Sequence, residues 1–192
     1  TPVPAVKCLR STGERVRGFG VWESSQGDSV VPRNGRVYYT PVLDTTDYDD
    51  DERLSNTLDF EGFIDVGRNG PGAEDRAIAG PLDGVIFVFQ SKGVYMLVPT
   101  GEANNAYRRV TLTLEVGAVS QESTFLGEDE SGRPCLYWMD PIRGPYRYGR
   151  NGMEWLGYDI QDLWQNIKLP ATTRAAMGVY DPELRACIFG YA

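Results

Sequence analysis

The sequence predicts an all-β fold made of repeated antiparallel units, with one short helix near residues 159–168. Three observations support this prediction: short apolar runs alternate with turn residues, helical periodicity is scarce, and an aromatic strand recurs at a regular step. The 192 residues include 22 glycines and 12 prolines. That composition is typical of many short strands joined by tight turns.

The recurring strand is aromatic and β-branched, and it occurs four times. The four copies are "RVYYT" around Tyr38, "VIFVF" around Phe87, "CLYWM" around Tyr137 and "CIFGY" around Ile188. The steps between these centres are 49, 50 and 51 residues. A similar second strand follows two of them, "KGVYMLV" at 92–98 and "RGPYRYG" at 143–149. This spacing indicates one supersecondary unit repeated along the chain.

Further short segments complete each unit to three or four strands. They are "RGFGVW" at 17–22, "FIDV" at 63–66, "RAIAGPL" at 76–82, "VTLTLEV" at 110–116, "GAVSQES" at 117–123 and "AAMGVYD" at 175–181. We therefore place the units at about 17–66, 76–116, 117–167 and 175–192, the last of them incomplete.

A lone four-stranded meander cannot bury both of its faces, so it has to stack against its neighbours. Units of roughly 50 residues arranged radially form the blades of a β-propeller. We therefore predict that residues 1–192 belong to a single β-propeller-like array of four-stranded antiparallel blades. Another sandwich or a solenoid is the alternative. Both ends look like the middle of a structure, so we expect an excerpt of a longer chain.

The predicted helix is "DIQDLWQNI", residues 159–167. Apolar side chains recur there at i, i+3, i+4 and i+7, at Ile160, Leu163, Trp164 and Ile167. Asp159 is placed to cap its start, and Pro170 lies just beyond its end.

Three longer stretches resemble a known group of proteins. They are "FGVWESSQGDSVVPRNGRVYYTPVLDTTDYDDDE", "FIDVGRNGPGAEDRAIAGPLDGVIFVFQSKGVYMLVPTG" and "GAVSQESTFLGEDESGRPCLYWMDPIRGPYRYG". In order, they give a strand followed by Asp-rich "LDTTDYDD", then "IDVG" with a Gly-rich turn, "DGVIFVFQSKGVYML", and a final "LYWMD" with "GPYRYG". This pattern, over about 17–165, resembles the β-propeller region of bacteriophage virion proteins. The nozzle or tail-tubular proteins of short-tailed phages are the most similar.

The resemblance implies a structural component of a phage virion, a nozzle-like protein of the tail or the head-to-tail connection. Such a protein would form a ring with copies of itself and contact other tail proteins. It would be located in the virion after assembly in the host cytoplasm. The resemblance implies no enzymatic activity, no catalytic residue and no cofactor. The alternative function is a carbohydrate-binding or glycan-degrading β-propeller tail protein, with a host glycan as its partner.

The composition narrows the remaining classes of function. The net charge is −8, which does not favour specific binding of a nucleic-acid backbone. The chain has no histidine, so it lacks the usual general base and histidine-ligated metals. Its three cysteines are far apart and form no CxxC pair, which predicts reduced thiols. No apolar run approaches the roughly 18 residues of a membrane helix, so we predict no membrane span.

The run "LDTTDYDDDE" at 43–52 concentrates carboxylates after the first aromatic strand. Asp47, Asp49 and Asp51 have the 1, 3, 5 spacing of an EF-hand loop. Position 6 is Glu52 instead of Gly, and position 12 is Leu58 instead of Glu, so that motif fails. The favoured interpretation is a solvated loop that discourages edge-to-edge sheet pairing. A cation site at Asp47, Asp49 and Asp51 is the alternative.

Two further groups of residues permit more than one interpretation. Four tryptophans, Trp22, Trp138, Trp155 and Trp164, are predicted to pack between blades, with a sugar-stacking platform as the alternative. Four carboxylates, Glu128, Asp129, Glu130 and Asp140, are predicted to lie on the surface, with a glycosidase pair as the alternative. Asn-Gly pairs at 34–35 and 151–152 each predict a tight β-hairpin.

Overall fold

The structure is a computed structural model that describes residues 5–12, 15–24, 30–39, 62–67, 74–102, 105–166 and 176–190. These residues form mostly β-structure, in four antiparallel sheets that follow one another along the chain. The coarse prediction of a mostly β protein is therefore confirmed.

The first two sheets each contain four strands. The first sheet consists of β1 (Ala5–Thr12), β2 (Arg15–Ser24), β3 (Val30–Tyr39) and β4 (Gly62–Asp65). The second consists of β5 (Asp75–Leu82), β6 (Val85–Gln90), β7 (Gly93–Glu102) and β8 (Asn105–Thr113). In both, each strand pairs with the next one in sequence, so the sheets are simple meanders.

The third and fourth sheets continue the same pattern. The third consists of β9 (Phe125–Glu128), β10 (Pro134–Asp140), β11 (Gly144–Gly149) and β12 (Gly152–Trp155). The fourth, as far as it is described, is the hairpin of β13 (Met177–Asp181) and β14 (Ala186–Gly190). A 3₁₀ turn at Tyr158–Ile160 and the helix α1 (Gln161–Asn166) follow the third sheet, in the region where the sequence predicts a helix.

The second sheet is covered on both faces. Because side chains alternate along a strand, its two faces carry different residues. One face packs against the first sheet through Ile78, Ile86, Val88, Tyr95 and Leu97, which meet Val37 and Val66. The other face packs against the third sheet through Ala77, Ala79, Phe87, Phe89 and Val94, which meet Leu136, Trp138 and Tyr146. Each large side chain buried in this way stabilises the fold by roughly 1.5–3 kcal/mol.

The stack continues from the third sheet to the fourth. Met139, Trp164 and Ala176 share a third core with Phe189 of β14. The ring of Phe125 in β9 lies 5.1 Å from that of Phe189. The first strands of successive sheets also lie close together, since β5 contacts both β1 and β9, and β13 contacts β9. Successive meanders therefore stack face to face in chain order.

Two predicted details of the fold are wrong, the strand at 117–123 and the hairpin at 34–35. The first sheet also includes Ala5–Thr12, which lies upstream of residue 17, where we place the start of the first unit. Residues 117–123 form an irregular connector, and the strand lies at Phe125–Glu128 instead. Residues 34–35 lie inside β3 and make no hairpin, whereas the hairpin predicted at 151–152 is present between β11 and β12. Tertiary contacts, described below, account for the differences at 34–35 and 117–123.

Candidate functional site

The hydrogen bonds and charged groups considered as a candidate site lie where neighbouring sheets meet. We call these places the first, second and third junctions, in chain order. The predicted cation site at Asp47, Asp49 and Asp51 lies outside the described residues. Among the residues that the structure does describe, no group of three or more His, Cys, Asp or Glu is arranged to hold a metal ion.

The first junction joins β3 and β4 to the second sheet through a buried carboxylate. The amide of Gly35 donates to both oxygens of Asp75 at 2.9 Å, and Nε2 of Gln90 donates to Oδ1 at 2.9 Å. The carbonyl oxygen of Gly35 accepts hydrogen bonds from the amides of Val66 and Gly67. Asp75 and Gln90 are buried. A buried charge needs such hydrogen bonds to offset its loss of hydration, so the pairing is specific.

Two glycines make the close approach at the first junction possible. Gly35 has a φ of +79°, and a Cβ there would lie 3.0 Å from the backbone of Gly67. A Cβ on Gly67 would lie 2.4 Å from the side chain of Gln90. The bond register between β2 and β3 shifts between Phe19 and Val21, opposite this region. The Asn-Gly pair at 34–35 therefore forms an irregularity inside a strand, because Asp75 holds the Gly35 amide.

The second junction is the connector between the second and third sheets, residues 114–124. The amide of Gly117 donates to Oδ2 of Asp140 at 2.9 Å, and the amide of Val119 donates to the carbonyl of Met139 at 2.9 Å. The amide of Ala118 donates to the carbonyl of Gln90 at 3.1 Å. The backbone of this segment is thus shared between two sheets, which explains why it does not form a strand of its own.

Gln121 completes the second junction with its side-chain amide. Its Oε1 accepts a bond from the amide of Ile78 at 2.9 Å, and its Nε2 donates to the carbonyl of Ile78 at 2.9 Å. This side chain occupies both backbone groups of one residue in β5, as a neighbouring strand would. Ser120 adds a 2.6 Å bond from its hydroxyl to the carbonyl of Ala176, which leads to the fourth sheet.

The third junction lies between the third and fourth sheets, and Arg147 organises the third-sheet side of it. Its guanidinium donates to Glu154 at 2.8 Å and to both oxygens of Glu130 at 2.8 and 2.9 Å. Burial opposes the charge, but the hydrogen bonds to these carboxylates outweigh it and raise the pKa of Arg147 above its ordinary value. The pKa of Glu130 is lowered, first by a backbone hydrogen bond and then by Arg147. The network holds β11 and β12 to the turn before β10.

Tyr137 and two thiols lie beside Arg147. The hydroxyl of Tyr137 donates to the carbonyl of Glu128 at 2.8 Å, and burial raises the pKa of this phenol. The side chains of Arg147 and Cys187 also interact with Tyr137, so this junction spans β10, β11 and β14. Burial raises the pKa of both Cys135 and Cys187, and both are free thiols.

The four tryptophans named from the sequence do not form one platform. Trp138 is fully buried between the second and third sheets, 5.4 Å from the ring of Phe89 and stacked on Tyr146 at 5.5 Å. That agrees with the predicted packing between sheets and prevents Trp138 from touching a ligand. Trp155 and Trp164 instead line one cleft. The side chain of Trp22 lies outside the described part of the structure.

Three of the four candidate carboxylates, Asp129, Glu130 and Asp140, are engaged in hydrogen bonds within the third sheet and its connectors. Asp129 bonds the backbone and guanidinium of Arg133, and these contacts lower its pKa to about 2. Glu130 is held by Arg147, and Asp140 accepts bonds from the amides of Gly117, Ile142 and Arg143. A general acid needs a raised pKa, and the pKa values of Asp129 and Glu130 are lowered instead. The surface interpretation is wrong for Asp140, which is buried.

The outer face of the fourth sheet is apolar and exposed. Met177, Val179 and Ile188 are 62%, 56% and 48% exposed, and Val179 and Ile188 form a directly opposed pair across the hairpin. The alternate residues face the third sheet, since Tyr180 lies over Gly127 and Phe189 contacts Phe125. One face of the hairpin is therefore covered by a sheet and the other is not covered by any described residue.

Sequence reasoning missed most of the residues at the junctions. Asp75, Gln90, Gln121 and Arg147 stand in otherwise ordinary strand or loop contexts. The sequence signal that could have identified such residues is a polar side chain within or beside an apolar run. Gln90 after "VIFVF" and Asp140 after "CLYWM" are examples.

No protein-family model matches the chain, and comparison with curated proteins finds no match. Within the part of the chain that the structure describes, no helix has the length and apolar character needed to cross a membrane.

Proposed function

We propose that this chain is a structural part of a phage virion, located in the tail or the head-to-tail connection. In this proposal its sheets are blades of a β-propeller, and the protein forms a ring with copies of itself and seats neighbouring tail proteins. The observation that carries the proposal is the stack of successive meanders. Each sheet is joined to the next by buried hydrogen bonds and an apolar core.

The stack supports a mechanical role because its junctions are specific. Gly35 with Asp75 fixes the first sheet relative to the second, and Gly117 with Asp140 fixes the connector after the second sheet to the third, each through a buried carboxylate. Such contacts resist sliding of one sheet over another, since a displaced carboxylate would lose its hydrogen bonds in a poorly hydrated site. The resemblance over residues 17–165 supports the assignment to phage virions.

The exposed face of the fourth sheet supports assembly. In the proposed propeller, a further sheet of the same kind covers Met177, Val179 and Ile188, as the second sheet is covered on both of its faces. An apolar strand face left in water is a site for association with another sheet. Continuity with the existing stack supports a β-sheet as the occupant.

Light scattering after size-exclusion chromatography, together with negative-stain electron microscopy, tests the ring. We expect closed particles of fixed rotational symmetry from the 192-residue chain. Val179→Asp and Ile188→Asp should break these particles or lower their melting temperature, because a charge would be buried between sheets. Leu184→Asp, in the turn of the same hairpin and 71% exposed, is the matched control. A monomer that tolerates all three substitutions equally would contradict the ring.

Immunogold labelling tests the virion assignment separately. An antibody against the chain should label the tail or the tail vertex of phage particles prepared from the biological source of this sequence. Particles that contain their full set of tail proteins but bind no antibody, before and after mild disruption, would contradict the assignment even if the chain forms rings.

A further inference from the structure

A cleft of about 420 Å³ opens at the end of the third sheet. It lies where the turn between β10 and β11, the end of β12 and the helix α1 meet. Its lining residues are Ile142, Arg143, Trp155, Gln161 and Trp164. The volume lies within the range of about 300–1,000 Å³ that small-molecule sites occupy.

The aromatic part of the cleft is held rigidly. The indole Nε1 of Trp155 donates to the carbonyl of Arg143 at 2.7 Å. A Cβ on Gly157 would lie 2.5 Å from that nitrogen, so the backbone passes directly beside the ring. Tyr158 meets Trp155 edge to face at 5.9 Å and is 73% exposed. A fixed aromatic surface reduces the entropy that a ligand would otherwise lose in ordering it.

The polar part of the cleft offers both donors and an acceptor. The guanidinium of Arg143 is about half exposed and lies 3.5 Å from Glu115. Gln161 is exposed. An amide side chain supplies one acceptor oxygen and two donor hydrogens. Glu115 offsets the one charge in the lining, so the cleft has little net preference for an anion.

We infer that this cleft binds a neutral saccharide. A pyranose ring presents C–H groups on one face, which pack on the electron-rich face of an indole. Its hydroxyls both donate and accept, which matches the mixed donors and acceptor of Arg143 and Gln161. The chain's net charge of −8 disfavours acidic sugars. None of the five lining residues is a carboxylate, so the site as described binds a sugar and does not cleave it.

This inference does not depend on the virion assignment. It selects Trp155 from the tryptophans of the sequence, because Trp138 lies between sheets and Trp164, although it lines the cleft, is buried in the third core. The chain could fail to form rings and still bind a saccharide, or form rings and bind no saccharide. The two experiments therefore distinguish failure of the ring from failure of the saccharide site.

The test is an NMR titration of the full 192-residue chain with linear trisaccharides of glucose and of N-acetylglucosamine. The indole N–H signal of Trp155, assigned by its loss in Trp155→Phe, should shift saturably with one of them. Gln161→Ala and Arg143→Met should each weaken binding by roughly tenfold, about the effect of one lost hydrogen bond. Arg150→Met, an exposed arginine in the turn between β11 and β12, should leave affinity unchanged.

Three results would overturn the inference. The first is no shift of the Trp155 signal with either trisaccharide at millimolar concentration, although the spectrum shows a folded chain. The second is binding that Gln161→Ala, Arg143→Met and Arg150→Met affect equally. The third is saturable binding of a proline-rich peptide at this cleft with no saccharide binding, which would assign the aromatic surface to peptide recognition.

Discussion

The amide of Gly35 donates to both carboxylate oxygens of Asp75, at 2.9 Å each, across a separation of 40 residues. The pair joins the first sheet to the second inside the protein. A comparable bond, from Gly117 to Asp140, joins the connector after the second sheet to the third. Buried carboxylates that accept hydrogen bonds from glycine amides therefore occur at two consecutive junctions of the stack.

Gly35→Ala should destabilise the chain more than Gly84→Ala. Both glycines have nearly the same positive φ, +79° and +78°, so both substitutions carry the left-handed strain of about 1–2 kcal/mol. Only at Gly35 would the new Cβ also press on the backbone of Gly67, at 3.0 Å, whereas nothing lies within 4 Å of a Cβ at Gly84. Urea unfolding of the two variants measures the difference. Equal losses of unfolding free energy in the two variants would show that the close approach of Gly35 to Gly67 adds no destabilisation.

Asp75→Asn should lower the free energy of unfolding by about 1.5–3 kcal/mol, the range for hydrogen bonds to a charged group. The amide would present N–H groups where Gly35 and Gln90 already donate. Asp83→Asn, at an exposed turn between β5 and β6, serves as the control and should change stability little. Chemical denaturation monitored by tryptophan fluorescence would measure both. A neutral effect of Asp75→Asn would contradict the role of the carboxylate.

Trp138→Ala should cost about 3–5 kcal/mol, as expected for a large aromatic side chain removed from a core. Trp138 fills the space between Phe89 and Tyr146. Its indole nitrogen is buried with no hydrogen-bond partner among the described residues, so Trp138→Phe loses volume but no hydrogen bond. We therefore expect Trp138→Phe to cost clearly less than Trp138→Ala. Thermal unfolding of the unsubstituted chain and the two variants measures this difference. A melting temperature of Trp138→Phe at or below that of Trp138→Ala would contradict the prediction.

Lowering the pH should reduce the stability of the folded chain, because Asp129 becomes protonated. Its pKa is about 2 in the folded chain, below the ordinary value of 3.8, because it bonds Arg133. A lowered folded pKa gives stability that is present above the unfolded pKa and is lost as the pH falls from about 4 towards 2. Asp129→Asn should flatten the dependence of stability on pH in that window. Asp159→Asn, an exposed carboxylate in the 3₁₀ turn, is the control, and an identical flattening in both would contradict the assignment.

Cys135 and Cys187 should react slowly with iodoacetamide at pH 8. Burial raises the pKa of both thiols above the ordinary value of 9.0, so little reactive thiolate is present at that pH. A Cys8→Ser background isolates the two sites, and mass spectrometry counts the labels. Both should be modified rapidly in urea. Native labelling of Cys187 at the rate of free cysteine would show that the third junction is open.

Much of the fold could be predicted because its signals are local. The aromatic strands around Phe87, Tyr137 and Ile188 lie within β6, β10 and β14, and the Asn-Gly pair at 151–152 makes its hairpin. Alternation and turn chemistry involve only neighbouring residues, so they can be read from the chain. The radial arrangement of the sheets remains a prediction, and so does the role of the acidic run at 43–52.

By itself, the sequence determined that this chain forms short antiparallel strands in repeated units, because strand periodicity and turn residues act over a few positions. Only the tertiary structure decided which polar residues join the sheets, and that Trp155 keeps part of its side chain exposed whereas Trp138 and Trp164 are buried. Gly35 meets Asp75, and Gln121 meets Ile78, across 40 and 43 residues. Those pairings depend on how whole sheets stack. Equivalent Asn-Gly pairs can therefore form a hairpin at 151–152 and a junction at 34–35.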